Sequence, residues 1–277
     1  MLRRMNDPQP CLMRLLFREP PAIDPGQLLN VLPNLVGPLD VINADQKGCL
    51  FAATAHIARF RDAAMPATLN VLHGGSGPID IPDDVMIQLY EYDNPAQIFA
   101  ERPFTILAGD MNAGPLPPIE RATLIMDFAA GLLTAYPQCE AIFFQMTGAL
   151  ATRDDLLNTN DSSLSRFMTE ALKVRIFNAG SGTYLMDTLG LGYFGFPDLQ
   201  YHFHTLDPND IVAHARIMAH YLIENNNPVE NDHTVPGFSD GQMRMDWSWI
   251  MRFEPAIAGP ERMVIDVNTG EFAAGQR

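Results

Sequence analysis

Residues 197–220, PDLQYHFHTLDPNDIVAHARIMAH, hold four of the chain's seven histidines and three aspartates. Imidazoles and carboxylates gathered at one point can ligate a divalent metal or move protons. Their spacing decides how many can gather. In QYHFH, side chains alternate across an extended strand, so Gln200, His202 and His204 share one face and Tyr201 and Phe203 the other. The aromatic face is expected in the core, which turns both histidines together toward solvent or a cleft. Two imidazoles at i and i+2 can hold one metal, with Asp198 or His214 completing the set of a metal-dependent hydrolase.

The next element predicts itself as a helix. Asp207 caps it, Pro208 takes the first helical position, and Asp210 falls in the first turn. Ile211, Ala215, Met218 and Leu222 form its apolar stripe, with His214 at the edge of that stripe. His220 lies nearly opposite, about 120° from His214, so these two cannot serve one site. A capping Asp207 is already engaged by backbone N–H groups. The candidate functional surface is therefore Asp198, Gln200, His202, His204 and His214, with His202 and His204 as candidate metal ligands. A bare HxH without a fixed third ligand is a weak signature, so ordered structure is the first reading and a divalent-metal site the second.

Other chemistries find little support. His73-Gly74-Gly75-Ser76-Gly77 lacks the Lys-Ser/Thr ending of a phosphate loop and reads as a turn. Gly190, Gly192 and Gly195 have dinucleotide-type spacing, but Phe196-Pro197 follows instead of a helix. No GxSxG elbow occurs. Cys11, Cys49 and Cys139 are an odd number without CxxC spacing, as expected of small buried residues in a reducing compartment.

Elements that position these residues can be read along the chain. CLMRLLF (11–17) reads as a strand, and Asp24-Pro25 opens a helix over QLLNVLPNL. CLFAATAHIARF and ATLNVLHG read as paired strands. Pro82-Asp83-Asp84 opens a helix through Tyr92, and Asn94-Pro95 interrupts it. PFTILAGDM is a strand, 119–136 a helix with Leu124, Phe128 and Leu132 on one side, and AIFFQMTG a buried strand. The polar stretch 150–163 is the expected boundary between lobes at 8–150 and 160–277. Beyond it come a helix SRFMTEAL, strands KVRIFNAG and TYLMDTLG about a glycine turn, and closing strands MDWSWIMRFE and RMVIDVN. The fold class is α+β, with mixed, mostly antiparallel sheets and packed helices.

The 277 residues carry a net charge of −15, with lysine present as Lys47 and Lys173 alone. Such a surface repels phosphate backbones, which argues against nucleic acid, and steers basic proteins toward it. No run of about 18 apolar residues occurs, so no membrane span is expected and a cytoplasmic protein is. Trp247 and Trp249 share a strand face, suited to core more than interface. The acidic loop 224–240 is a plausible contact surface.

PDLQYHFHTLDPNDIVAHA, YLIENNNPVENDHTVPG and the ending GEFAAGQR resemble a bacterial domain-of-unknown-function family, the one numbered 4261. VRIFNAGSGTYLMDTLGLGYFGFPD and RATLIMDFAAGLL fit the same pattern. The resemblance implies a soluble bacterial α+β protein and transfers no reaction or catalytic residue. In size and acidity the chain is similar to immunity proteins of interbacterial toxin systems. The functional expectation is an acidic binding or inhibitor protein for a basic partner such as a toxin, with the metal-dependent enzyme as the alternative and a scaffold role as a third.

Overall fold

The structure is a computed structural model and describes residues 7–45, 47–158 and 160–275. The chain divides into two compact units, residues 9–171 and residues from 172 onward, the latter also taking in Asp7 and Pro8. The polar stretch 150–163 thus lies inside the first unit rather than between units.

The first unit is a seven-stranded sheet with helices on both faces. In chain order it contains β1 (Leu12–Phe17), α1 (Pro25–Val31), α2 (Pro33–Val36), β2 (Leu39–Asp45), β3 (Gly48–Arg59), β4 (Ala64–Ser76), α3 (Asp83–Ile87) and α4 (Pro95–Ala100). Next come β5 (Phe104–Asp110), α5 (Pro118–Ala135), β6 (Ala141–Phe144), β7 (Ala149–Thr152), α6 (Arg153–Leu157), α7 (Ser163–Arg166) and a π-helical turn, Phe167–Ala171. The strand order is β2-β3-β4-β5-β1-β6-β7, antiparallel throughout.

Local chemistry explains most of these boundaries. Asp24 accepts hydrogen bonds from the Gly26 and Gln27 amides and Pro25 starts α1, as expected, while Pro33 splits the predicted helix into α1 and α2. Asn94 caps α4. The expected helix from Pro82 is a short one, ending at Ile87. The glycines after His73 extend β4 instead of forming a free turn. Gly74 meets β5 so closely that a Cβ there would lie 2.3 Å from Thr105 Oγ1.

Helix α5 is buried on most of its circumference, including Leu124, Phe128 and Leu132. Met13, Leu15, Phe51, Leu69 and Val71 of the sheet are buried, and α1, α2 and α7 pack around α5. A helix enclosed this way is apolar nearly all round. Its one buried cation, Arg121, pairs with the buried Asp110 through Nε (2.9 Å) and Nη2. On the other sheet face, Leu16, Phe143 and Leu150 pack beneath Leu89 and Phe99.

The second unit is a six-stranded sheet under one long helix. It contains β8 (Lys173–Gly180), β9 (Thr183–Leu189), β10 (Asp198–His204), α8 (Pro208–Glu224), β11 (His233–Ser239), β12 (Gln242–Pro255) and β13 (Met263–Asn268). The order is β11-β12-β13-β10-β9-β8, and β10–β13 is its parallel pair. α8 begins where expected, with the Asp207 carboxylate accepting from the Asn209 amide. The α+β class expected from the sequence is what both units show.

Candidate functional site

The residues singled out on β10 sit in the middle of the second sheet. On the face away from α8, Arg175, Asp187, Gln200 and Asp266 stand directly opposite one another along β8, β9, β10 and β13. All four are buried. Arg175 donates to Asp187 from Nε (2.8 Å) and Nη2 (2.6 Å), and Arg262 donates to the same carboxylate at 2.8 Å. Arg262 Nε also reaches Asp198 Oδ2 at 3.2 Å, while Asp198 Oδ1 accepts from the Leu191 amide and Thr188 Oγ1. Gln200 donates to Asp266 and accepts from the Ile257 amide.

Two guanidinium groups thus face Asp187 and Asp198, while Asp266, the third buried carboxylate, accepts from Gln200. A buried charge keeps its ionised form only with such pairing and hydrogen bonding. Burial pushes the Asp198 carboxyl up to about 6, against the opposing pull of Arg262. The segment 256–262 closes over this row, since Arg175 donates to the Gly259 carbonyl as well. Asp198 and Gln200 are tied into architecture here and do not form the open surface expected of them.

His202 and His204 do share the Gln200 face and are half-buried. His204 Nδ1 lies 3.2 Å from Thr205 Oγ1. His202 is crowded by the chain near Gly275, where a Cβ would stand 3.0 Å from its Nδ1.

His214 is on the opposite side of the sheet. Fully buried, it meets Tyr201 Oη at 2.9 Å through Nδ1 and the Pro236 carbonyl at 3.1 Å through Nε2. A carbonyl only accepts, so Nε2 carries the proton and Nδ1 accepts from the tyrosine hydroxyl. Trp249 packs edge-on at 4.9 Å. Burial lowers the His214 pKa to about 4, only partly offset by the Pro236 carbonyl.

With the sheet between them, His214 cannot join His202 and His204 on one metal, and Asp198 is already engaged. Among the described residues no group of three or more His, Cys, Asp or Glu gathers as a metal site. His220 is also apart, 3.3 Å from Glu224 on α8.

A concave surface of a different kind lies beside His214. α8 and the β11–β12 hairpin leave a groove of about 530 Å³ between them. Met218, Val229 and Met251 form a buried floor, while Ile217, Tyr221 and Met243 stand exposed along it. The groove has a defined shape because its two walls are tied together. Asp210, in the first turn of α8, accepts the Asp240 and Gly241 amides at the hairpin tip. Within the hairpin, at the register shift opposite Arg244, Gly237 admits the tryptophans, for a Cβ there would lie 2.6 Å from the Trp247 ring. Exposed acids follow the same elements: Glu224 ends α8, and Glu230 and Asp232 lead into β11. Glu230 lies 3.8 Å from His233, and Asp232 pairs with Arg252.

Residues 187–268 match the family described as a domain of unknown function, DUF4261. The match covers 82 of the 277 residues. No curated protein and no solved structure matches the chain. The matched DUF4261 segment runs from Asp187 through β13. It therefore holds Asp187, Asp198, Gln200, Arg262 and Asp266 of the buried row, all of α8, and both walls of the groove. The sequence pointed to the acidic stretch 224–240 as a contact surface but missed Ile217, Tyr221 and Met243. The exposed i, i+4 pair Ile217 and Tyr221 on α8 was the available signal.

Proposed function

We propose that the DUF4261 domain binds a protein, and that it does so in the groove between α8 and the β11–β12 hairpin. The occupant is a basic amphipathic segment. Its apolar side chains would lie on Ile217, Tyr221 and Met243, and its Lys or Arg residues would face Glu224, Glu230 and Asp232. The observation that carries this reading is an exposed apolar groove rimmed by carboxylates, on a chain of net charge −15. Soluble domains keep such apolar surface exposed mainly where a partner covers it. Complementary charge then sets encounter rate and partner choice.

An inhibitor that masks a basic partner, in the manner of immunity proteins, is the role this chemistry fits best. Three buried cysteines outside any disulfide suit a reducing bacterial cytoplasm. The deciding experiment places a photo-crosslinking phenylalanine analogue at Tyr221 in the source organism, with Ile257 as comparator. The expected result is one adduct, specific to position 221, mapping to a basic segment and lost in Glu230→Lys/Asp232→Lys. Equal labelling from both positions, or adducts indifferent to charge reversal, would overturn the reading.

A further inference from the structure

We propose that the partner segment enters the groove as an extended strand, added to the open edge of β11 and clipped to the main chain of Thr234. This rests on the groove reading above and specifies how the partner is held. The strand order puts β11 at the end of its sheet, with β12 on one side and, among the described residues, no strand on the other. Side chains alternate between the two faces of a strand, so a surface that meets one face touches every second residue. The groove is lined by His233, Thr234, Val235 and Pro236 in succession. It therefore meets β11 edge-on, where main-chain groups stand open to another strand.

Hydrogen bonding says which groups these are. Met251 turns its carbonyl to β11, accepting from the Asp232 amide, and His233 and Val235 stand opposite Met251 and Trp249. Main-chain groups of successive residues point to opposite edges, so those of Thr234 and Pro236 point away from β12. Pro236 fits that direction twice over. Its carbonyl meets His214 of α8 at 3.1 Å, and a strand tolerates proline where the nitrogen faces away from the ladder. Thr234 is exposed, which leaves its N–H and C=O within reach of a partner strand. A strand laid there alternates its side chains. One set would rest on Met218, Val229 and Met251, and the other would carry positive charge toward Glu230 and Asp232. The recognised segment thus alternates apolar and basic residues.

The test offers two probes to the ¹⁵N-labelled full chain: the capped peptide Lys-Leu-Lys-Leu-Lys-Leu-Lys, and a stapled helical isomer of the same composition. The alternating peptide should bind saturably and slow solvent exchange of the Thr234 amide at least tenfold. Methylating every leucine main-chain nitrogen, or every lysine one, should have unequal effects: one set loses at least tenfold in affinity and the other keeps it. Thr234→Pro, with its fold checked by tryptophan fluorescence, should bind at least tenfold more weakly. Charge-dependent binding of the helical isomer with equal affinity, or equal affinities of the two methylated sets, would overturn the strand and leave the groove reading standing. Binding of neither peptide, or binding unchanged in Glu230→Lys/Asp232→Lys, would overturn both. Concentration-dependent protection of the Thr234 amide without peptide would make a second copy of this chain the occupant, and would overturn the proposal as well.

Discussion

Tyr201 gives its hydroxyl proton to His214 Nδ1 across 2.9 Å, while Nε2 of the same ring is held by the Pro236 carbonyl. The pair joins β10, α8 and β11 and keeps the imidazole neutral, with a pKa lowered to about 4 by burial. A depressed histidine contributes stability above its unfolded pKa, about 6.5, and loses it as pH falls through 4. At full titration the loss is about 3 kcal/mol. Asp198 works in the opposite sense. Its raised value, about 6, means a contribution present below the unfolded value of 3.8 and lost as pH rises through 6.

The two therefore oppose each other between pH 4 and 6. Both tryptophans, Trp247 and Trp249, belong to the second unit, so their fluorescence reports its unfolding in the intact chain. Urea midpoints should change little from pH 6 to 4 in the wild type. They should rise on acidification in His214→Gln and fall more steeply in Asp198→Asn. Parallel profiles for all three would refute the assignment.

Asp187, with no exposed surface, depends on Arg175 and Arg262 together. Removing one guanidinium leaves charge buried with poorer pairing, at a cost of about 3–5 kcal/mol. Arg175→Met should lower the tryptophan-detected stability by that order. The double variant Arg175→Met/Asp187→Leu should cost less than the sum of the single changes. Strict additivity would show that the two side chains do not act as a pair.

At Gly237 both tryptophans crowd the backbone, for a Cβ there would lie 2.6 Å from Trp247 and 2.9 Å from Trp249. A methyl group there must displace Trp247 or Trp249. Gly237→Ala should lose about 1–3 kcal/mol and shift the emission maximum to the red. An unshifted spectrum with wild-type stability would contradict the packing.

Cys11, Cys49 and Cys139 are buried in the first unit, and burial pushes the Cys139 thiol up to about 12. Thiolates are the reactive form, so all three should resist a disulfide reagent at pH 8 in the folded chain. Their release in urea should follow the unfolding of the first unit. Fast labelling of any one of them in buffer would place that residue nearer the surface.

The legible parts of this chain were those that local chemistry decides. The Asp207-Pro208 start of α8, the alternation of QYHFH and the apolar spacing of α5 all follow from pattern within single elements. β11 was read as loop because HTVPGFS contains Pro236 and Gly237, which weaken any strand pattern. It forms because β12 pairs with it, around a register shift at those two residues, and because Gly237 makes room for the tryptophans. With β11 hidden, His214 looked like a margin residue, although Pro236 and Trp249 enclose it. The buried row was equally out of reach, since Arg262 and Asp187 are 75 residues apart and only register brings them together.

The place of β1 bears on how the first unit comes to be made. It pairs with β5 on one side and β6 on the other, so the earliest of the described strands occupies an inner position. Synthesis at about 5–20 residues per second leaves LMRLLF waiting roughly 5–20 s for β5, with both edges open. The meander β2-β3-β4 pairs through neighbours in sequence and can assemble in that interval. Closure of the sheet is then a late, non-local step, and LMRLLF is the segment a nascent-chain chaperone has most reason to hold.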